Sequence, residues 1–215
     1  MKYYLDAGTT YSKIISVDEL GEKQYKIVQS KNIKSMDIKF EKACGHMGFY
    51  NTNSENEIVA LAKGCQNIVD KNSTVLDLGS RDAKWIKFKN GKFSDMDWNT
   101  SCASSTGATV EMLLKFYDVN ISDLKVSDEK FSVTCGIFGL EKIMDDISKG
   151  VNPQDAISKF VHGIAFNTWN FAQKPDKLYL SGGFCDNECF VNSLKKYCNV
   201  ELLGRFILCE GLIIE

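Results

Sequence analysis

The sequence predicts an α/β protein built as two lobes of related design with a cleft between them. Three observations lead to that fold: a β-rich plan that occurs twice, strands that end in Asp and run into Gly-hydroxyl turns, and a change to helical periodicity after about residue 104. The first thirty residues read as a β-meander over 3–6, 13–18 and 24–29, with turns at Gly8-Thr9-Thr10 and Glu19-Leu20-Gly21. Ser54 is placed as the cap of a helix over 55–70, where Ile58, Leu61, Ala62, Cys65, Ile68 and Val69 recur at helical spacing. A second meander follows over 74–78, 84–89 and 92–96, and its Asn90-Gly91 pair between apolar runs is a strong hairpin signal. Each meander shows an Asp ending a strand, a Gly-hydroxyl turn and a Lys opening the next strand, so Leu5-Asp-Ala-Gly-Thr-Thr10 is matched by Leu76-Asp-Leu-Gly-Ser80.

Helices are expected over 104–117, 136–149 and 153–172, the last opened by Pro153 after Asn152, a good cap. A buried strand over 177–180 leads to Ser181-Gly182-Gly183 and then a helix to about Tyr197. This divides the chain into a first lobe over 1–72 and a second over 73–203, with a C-terminal helix at about 204–215 packing back on the first.

Composition narrows the function classes. The 215 residues are long enough for a substantial core, with 44% hydrophobic and 25% charged side chains. A net charge of -2 provides no basic footprint for nucleic acid or anionic lipid. The N-terminus runs straight into a strand and no segment approaches the roughly 20 apolar residues of a membrane span, so a cytoplasmic protein is expected. In a reducing compartment eight cysteines speak against a disulfide framework, and without a CxxC pair a zinc ribbon is disfavoured. Cys44, Cys65, Cys198 and Cys209 read as buried thiols, while Cys185 and Cys189 form a weak metal candidate. Cys102 and Cys135 stand apart, each where a loop runs into a helix. His46 and His162 are read as surface or satisfied core residues, and Trp85, Trp98 and Trp169 as core or interface.

The loops carry the chemistry. Glycine lets backbone N–H groups approach phosphate oxygens, hydroxyls add donors, and a carboxylate at the strand end can hold Mg²⁺ or its waters. Two such loops in equivalent places, with Ser181-Gly182-Gly183 after a late strand, point to a nucleotide cleft. Asp6 and Asp77 are the candidates for organising the metal. Gly8, Thr9, Thr10, Ser12 and Lys13 are placed at the β- and γ-phosphates, with Lys13 as a plain ion-pair partner the alternative. Gly79 and Asp82 would form the second loop and orient water.

These three loops resemble the two phosphate motifs and the adenosine motif of the actin, sugar kinase and heat-shock ATPase superfamily, which implies two ribonuclease H-like lobes. Within it the chain is most similar to the activators of 2-hydroxyacyl-CoA dehydratases, the BadF/BadG/BcrA/BcrD-type ATPases. Asp6-Ala-Gly-Thr-Thr-Tyr-Ser-Lys13 matches the family's Asp-x-Gly-Ser-Thr-x-Ser/Thr-Lys, and Asp77-Leu-Gly-Ser-Arg-Asp82 its Asp-Ile-Gly-Gly-Gln-Asp. The run Asn99-Thr-Ser-Cys-Ala-Ser-Ser-Thr-Gly-Ala-Thr-Val-Glu111 matches Asn-Asp-Lys-Cys-Ala-Ala-Gly-Thr-Gly-x-x-x-Glu, and Cys135-Gly-Ile-Phe138 matches Cys-x-Val-Phe. The chain departs from the pattern at Ser80-Arg81, at Ser105 and at Leu61, where the family has Gly-Gln, Gly and His, and 203–214 fits its small-residue closing helix poorly.

The resemblance implies ATP/ADP with Mg²⁺ in the cleft, with Thr106, Gly107, Glu111, Gly182 and Gly183 along the nucleotide. It also implies a homodimer in which Cys102 and Cys135 of each chain ligate one shared [4Fe–4S] cluster, since such a cluster takes four thiolates and each chain supplies two. The implied activity is ATP-driven one-electron reduction of a 2-hydroxyacyl-CoA dehydratase or related iron–sulfur reductase, with flavodoxin or ferredoxin as electron donor. Two other readings stand beside it: a small-metabolite kinase of the same superfamily, with Asp82 as base, and a non-catalytic nucleotide-binding scaffold.

Overall fold

The computed structural model describes residues 1–46, 53–99, 107–132 and 136–214. A three-strand meander and one returning strand form the first sheet. β1 (Lys2–Asp6) pairs antiparallel with β2 (Tyr11–Val17), which pairs antiparallel with β3 (Lys23–Gln29), and β4 (Lys42–Cys44) returns parallel to β1, giving the order β3-β2-β1-β4. The second sheet repeats the plan with longer strands. β5 (Ser73–Leu78), β6 (Ala83–Lys89) and β7 (Lys92–Asn99) form the meander, and β8 (Lys177–Gly182) and β9 (Asn199–Gly204) extend it in parallel, in the order β7-β6-β5-β8-β9. Asn90 and Gly91 take φ of 53° and 75°, the positive pair that a tight β6–β7 turn needs.

Helices fill two layers, one between the sheets and one on the far face of the second. α1 (Glu57–Cys65) and the closing α6 (Ile207–Ile213) lie between the two sheets. There Ile58, Leu61, Leu208 and Leu212 pack with Tyr4 of β1 and with Val75, Ile86 and Tyr179 of the second sheet. The far face of the second sheet carries the largest core, where α4 (Pro153–Phe171) buries Ile157, Phe160, Val161 and Ile164 against Leu76, Leu78, Trp85 and Leu180. α2 (Gly107–Phe116), α3 (Gly136–Ser148) and α5 (Glu188–Leu194) surround it. The far face of the first sheet has only a small cluster of Leu5, Ala7, Ile14 and Ala43. No helix of the described residues is long and apolar enough to cross a membrane.

Several sequence-based expectations are corrected. Asn56, not Ser54, caps α1: its Oδ1 accepts from the Ile58 N–H at 2.8 Å, while Ser54 bridges to Ala43 beside β4. The helix stops at Cys65 rather than reaching 70, and the Ile68 N–H closes a tighter turn onto the Cys65 carbonyl at 2.9 Å. The helix after β8 begins only at Glu188, capped by Asn187, after a short 3₁₀ turn over Gly183–Asp186. β4 and β9 had no recognisable signal. β4 is three residues long, and β9 is an edge strand with Glu201 and Leu202 exposed.

The closing helix crosses α1 through two glycines. A Cβ on Gly211 would meet the Ala60 carbonyl oxygen at 1.8 Å, and one on Gly64 would meet the Ile207 carbonyl at 2.2 Å. Small residues are thus present where the sequence of 203–214 gave a poor fit to a small-residue helix. Because backbone, not a flexible side chain, blocks the position, Gly211→Ala is expected to destabilise the fold by about 3 kcal/mol, the upper end of overpacking costs. Urea unfolding should show a lower midpoint with an unchanged slope.

Candidate functional site

Strand parity brings the two aspartates together. Tyr4 and Asp6 share one face of β1, Val75 and Asp77 share one face of β5, and both faces look onto the layer holding α1 and α6. The register repeats as well: Asp6 is paired across the ladder with Lys13, and Asp77 with Lys84. All four side chains therefore converge where the strands end. Each loop is held tightly at its root. A Cβ on Gly8 would strike the Tyr11 carbonyl oxygen at 2.5 Å, and Gly182, at φ 95°, lies so close to β5 that a Cβ would meet the Leu78 oxygen at 2.4 Å.

Two adjoining cavities open here, joined at Tyr11, Gly79 and Ser80. The smaller, about 50 Å³, is lined by Asp6, Gly8, Thr9, Lys13, Gly79, Asp77 and Asp82, together with His46, Glu57, Arg81 and Lys84. The larger, about 510 Å³, lies over Gly107, Glu111, Gly183 and Phe184 and is more apolar, with Val110, Leu114 and Val119 in its wall. Thr10 and Ser12 line neither. The Ser12 hydroxyl is fully buried and shares a hydrogen bond with Ser30 at 2.9 Å, and Ser30 Oγ donates to the Gly8 carbonyl at 2.6 Å, so this pair braces the first loop from behind. Gly182 serves the root of the turn rather than the cavity wall. Cys102, Thr106 and Cys135 lie outside the described residues.

The carboxylates are compensated internally. Lys13 Nζ lies 2.8 Å from Asp6 Oδ2. Lys84 Nζ lies 2.5 Å from Glu57 Oε2 and 3.4 Å from both Asp77 Oδ2 and Asp82 Oδ1. Ser181 Oγ donates to Asp77 Oδ1 at 2.8 Å, and Trp98 Nε1 donates to Asp82 Oδ2 at 2.8 Å. Burial alone would lower the Lys84 ammonium, but Asp77, Glu57 and Asp82 outweigh it and hold its pKa above the ordinary value. Lys13 is raised in the same way, burial opposed and exceeded by Asp6. Burial pushes the Glu57 carboxyl up, and Lys84 offsets part of that rise. At the junction of the cavities, Tyr11 donates to Glu111 Oε1 at 3.4 Å and has the Arg205 guanidinium 5.8 Å from its ring centre. The first N–H groups of α2 donate to the second loop, Gly107 to the Gly79 carbonyl at 3.3 Å and Ala108 to that of Ser80 at 3.0 Å.

Glu57 and Lys84 were not among the residues expected at the site. Lys84 had a signal, its place as the twin of Lys13, and Glu57 lies inside the expected helix, at the head of the segment that carries Leu61. Trp98 was expected in core or interface and instead holds Asp82. His162 is a satisfied core histidine, its two ring nitrogens bonded to the Glu129 carbonyl and the Tyr197 hydroxyl. Cys185 and Cys189 turn to separate carbonyls, those of Leu180 and Lys125. No group of three metal-ligating side chains occurs among the described residues.

Two duplicated sheets with paired helices between them and Gly-Asp loops facing across a cleft define the actin-like ATPase fold. Residues 34–207 match the BadF/BadG/BcrA/BcrD ATPase family, and the chain belongs to that family. It is 25% identical over 193 residues, covering 82% of this chain and 73% of the relative, to the (R)-2-hydroxyglutaryl-CoA dehydratase activating ATPase of Acidaminococcus fermentans. The crystal structure of component A of that dehydratase superposes with a TM-score of 0.81 at 22% identity, over 99% of this chain and 96% of the other. The activator of the 2-hydroxyisocaproyl-CoA dehydratase from Clostridium difficile, with bound ADPNP, gives a TM-score of 0.81 at 19% identity, over 98% and 92%.

Removing the central cation should expose the charge balance of the site. Lys84→Met leaves Asp77 and Glu57 buried without their ammonium, and a stability loss of about 3–5 kcal/mol is expected near pH 8. In the wild-type chain the raised Lys84 pKa contributes stability that is complete below about 10.5 and fades only as pH rises above it. In the variant the orphaned carboxylates favour protonation in the folded state. The deficit should therefore shrink as the pH falls toward 5, as read by denaturant unfolding at several pH values.

Proposed function

We propose that the protein is an ATP-dependent one-electron reductase that activates a partner iron–sulfur enzyme, such as a 2-hydroxyacyl-CoA dehydratase. The observation that carries the ATP half is the twinned Asp–Lys pair at the ends of β1 and β5, facing one small polar cavity that opens into a larger apolar one. Four carboxylates against three cationic side chains leave the small cavity with a net charge of −1. That balance suits a nucleotide arriving with a divalent cation better than a bare triphosphate. Asp6 and Asp77 would hold Mg²⁺ or its waters, the Gly8–Thr9 and Gly79–Ser80 backbones would face phosphates, and Glu111 and Gly183 the nucleoside.

The electron-transfer half rests on the cysteines. Six of the eight are described, and all are buried or half-buried. Burial pushes each of these thiols up, Cys198 to about 11 and Cys185 to about 12, which disfavours the thiolate a cluster needs. Cys102 and Cys135 remain, in the sequence just ahead of α2 and α3. Following Cys135 in the sequence, α3 exposes Ile137, Phe138 and Met144, an apolar surface a homodimer would cover. A [4Fe–4S] cluster bound there would supply a single low-potential electron. A flavodoxin or ferredoxin would restore that electron, and the chemistry on acyl-CoA would belong to the partner.

Calorimetry should show Mg·ATP binding to the wild-type chain that is weakened in both Asp6→Ala and Asp77→Ala. Unchanged affinity in the two variants would sink the cleft assignment. Independently, anaerobic reconstitution should load about four irons per dimer, and Cys102→Ala or Cys135→Ala should abolish loading. Four irons per monomer, or a colourless protein, would count against the electron carrier and leave a kinase or scaffold.

A further inference from the structure

We propose that Arg81 stabilises the charge that develops on the transferring γ-phosphoryl group, an arginine supplied within the chain by the second loop. The inference rests on the ATPase reading of the cleft and adds to it a residue for the hydrolytic step.

Arg81 lines the small cavity together with Gly8 and Thr9 of the first loop. Its backbone is fixed on both sides. The Gly79 N–H closes the turn onto the Asp82 carbonyl at 3.0 Å, the Ser80 carbonyl accepts from the Ala108 N–H of α2, and the Asp82 carboxylate is held by Trp98 and Lys84. The guanidinium reaches His46, which follows β4 in the first lobe, and since a guanidinium only donates, His46 Nε2 accepts. The other two cations of the cavity are already committed. Lys13 is held by Asp6, and Lys84 by Glu57, Asp77 and Asp82. Among the described residues Arg81 forms no ion pair, and it is exposed at the mouth, where it can exchange its histidine partner for phosphate oxygens.

In the step considered, a water oxygen bonds the γ-phosphorus while the bond from that phosphorus to the β–γ bridging oxygen breaks. ADP departs with the bonding pair, and the water's protons stay on the released phosphate until one passes to solvent. Negative charge therefore grows on the bridging oxygen and spreads over the equatorial oxygens. A cation pre-positioned there acts on the transition state more than on bound nucleotide.

Arg81→Ala should lower kcat for ATP hydrolysis by about a hundredfold, the effect of losing one such donor. Calorimetric affinity for Mg·ADP should stay within about threefold, and trapping of ADP with tetrafluoroaluminate, a stand-in for the transferring group, should be lost. Arg81→Lys should recover part of kcat. A kcat decrease of less than about tenfold, or parallel losses of kcat and ADP affinity as for a simple latch between lobes, would overturn the proposal while leaving the cleft assignment standing. Failure of the wild-type chain to bind Mg·ADP would remove the cleft reading and this proposal with it.

Discussion

A buried ammonium opposite a strand-end aspartate, repeated once in each lobe, is the constraint around which the rest of the molecule is arranged. Asp6 and Asp77 are each nearly inaccessible, and a carboxylate so placed is tolerable only with a close cation and hydrogen bonds. Lys13 and Lys84 provide the cation from the adjacent strand at the identical register position. A slip of one residue in either meander would carry the lysine to the opposite face, leaving its aspartate uncompensated and the apolar alternation reversed. Electrostatics and hydrophobic pattern thus select the same pairing. That agreement fixes the loops between the strands in both position and direction.

The two pairs are not equivalent, and the difference shows where the lobes meet. Lys13 serves one carboxylate, whereas Lys84 serves three, one of them Glu57 from the first turn of α1. Through Glu57 the second loop is tied to the helix layer shared by both sheets. That layer is in turn closed by α6, which approaches α1 so nearly that its crossing requires Gly64 and Gly211. The C-terminus therefore completes the core between the lobes, and the position of the second loop depends on residues more than a hundred positions away.

Much of the fold was legible in the sequence because its signals were local and doubled. The meanders, the Asn90-Gly91 turn and the long α4 behind Asn152-Pro153 follow from alternation, turn chemistry and capping. Elements stabilised by tertiary contact were not legible. β4 is three residues held by β1, β9 is an edge strand of mixed burial, and α1 starts at Asn56 because Ser54 is engaged with Ala43. The same distinction applies at the site. Asp6, Gly8, Asp77, Gly79 and Asp82 lie in contiguous motifs, whereas Arg205 reaches the larger cavity and Trp98 reaches Asp82 only through packing, and no spacing in the chain marks either.

The start of α2 shows how a change at the second loop would be felt beyond the cleft. A helix N-terminus offers unpaired N–H groups that suit an anion. Here Gly107 and Ala108 donate instead to carbonyls of Gly79 and Ser80, so the helix is anchored on the loop itself. One turn further, Glu111 accepts from Tyr11 at the end of the first loop. α2 thus touches both loops across the cleft. Any ligand that separates or draws together those loops must move the helix or break these bonds, each a modest contribution of about 1 kcal/mol. Bonds of that size can be exchanged by differential nucleotide contacts, because coupling requires that two states differ by a few kcal/mol. The segment immediately preceding α2 in the sequence carries Cys102, so the element most directly fastened to the loops is also the one that continues into the cysteine proposed to hold the cluster.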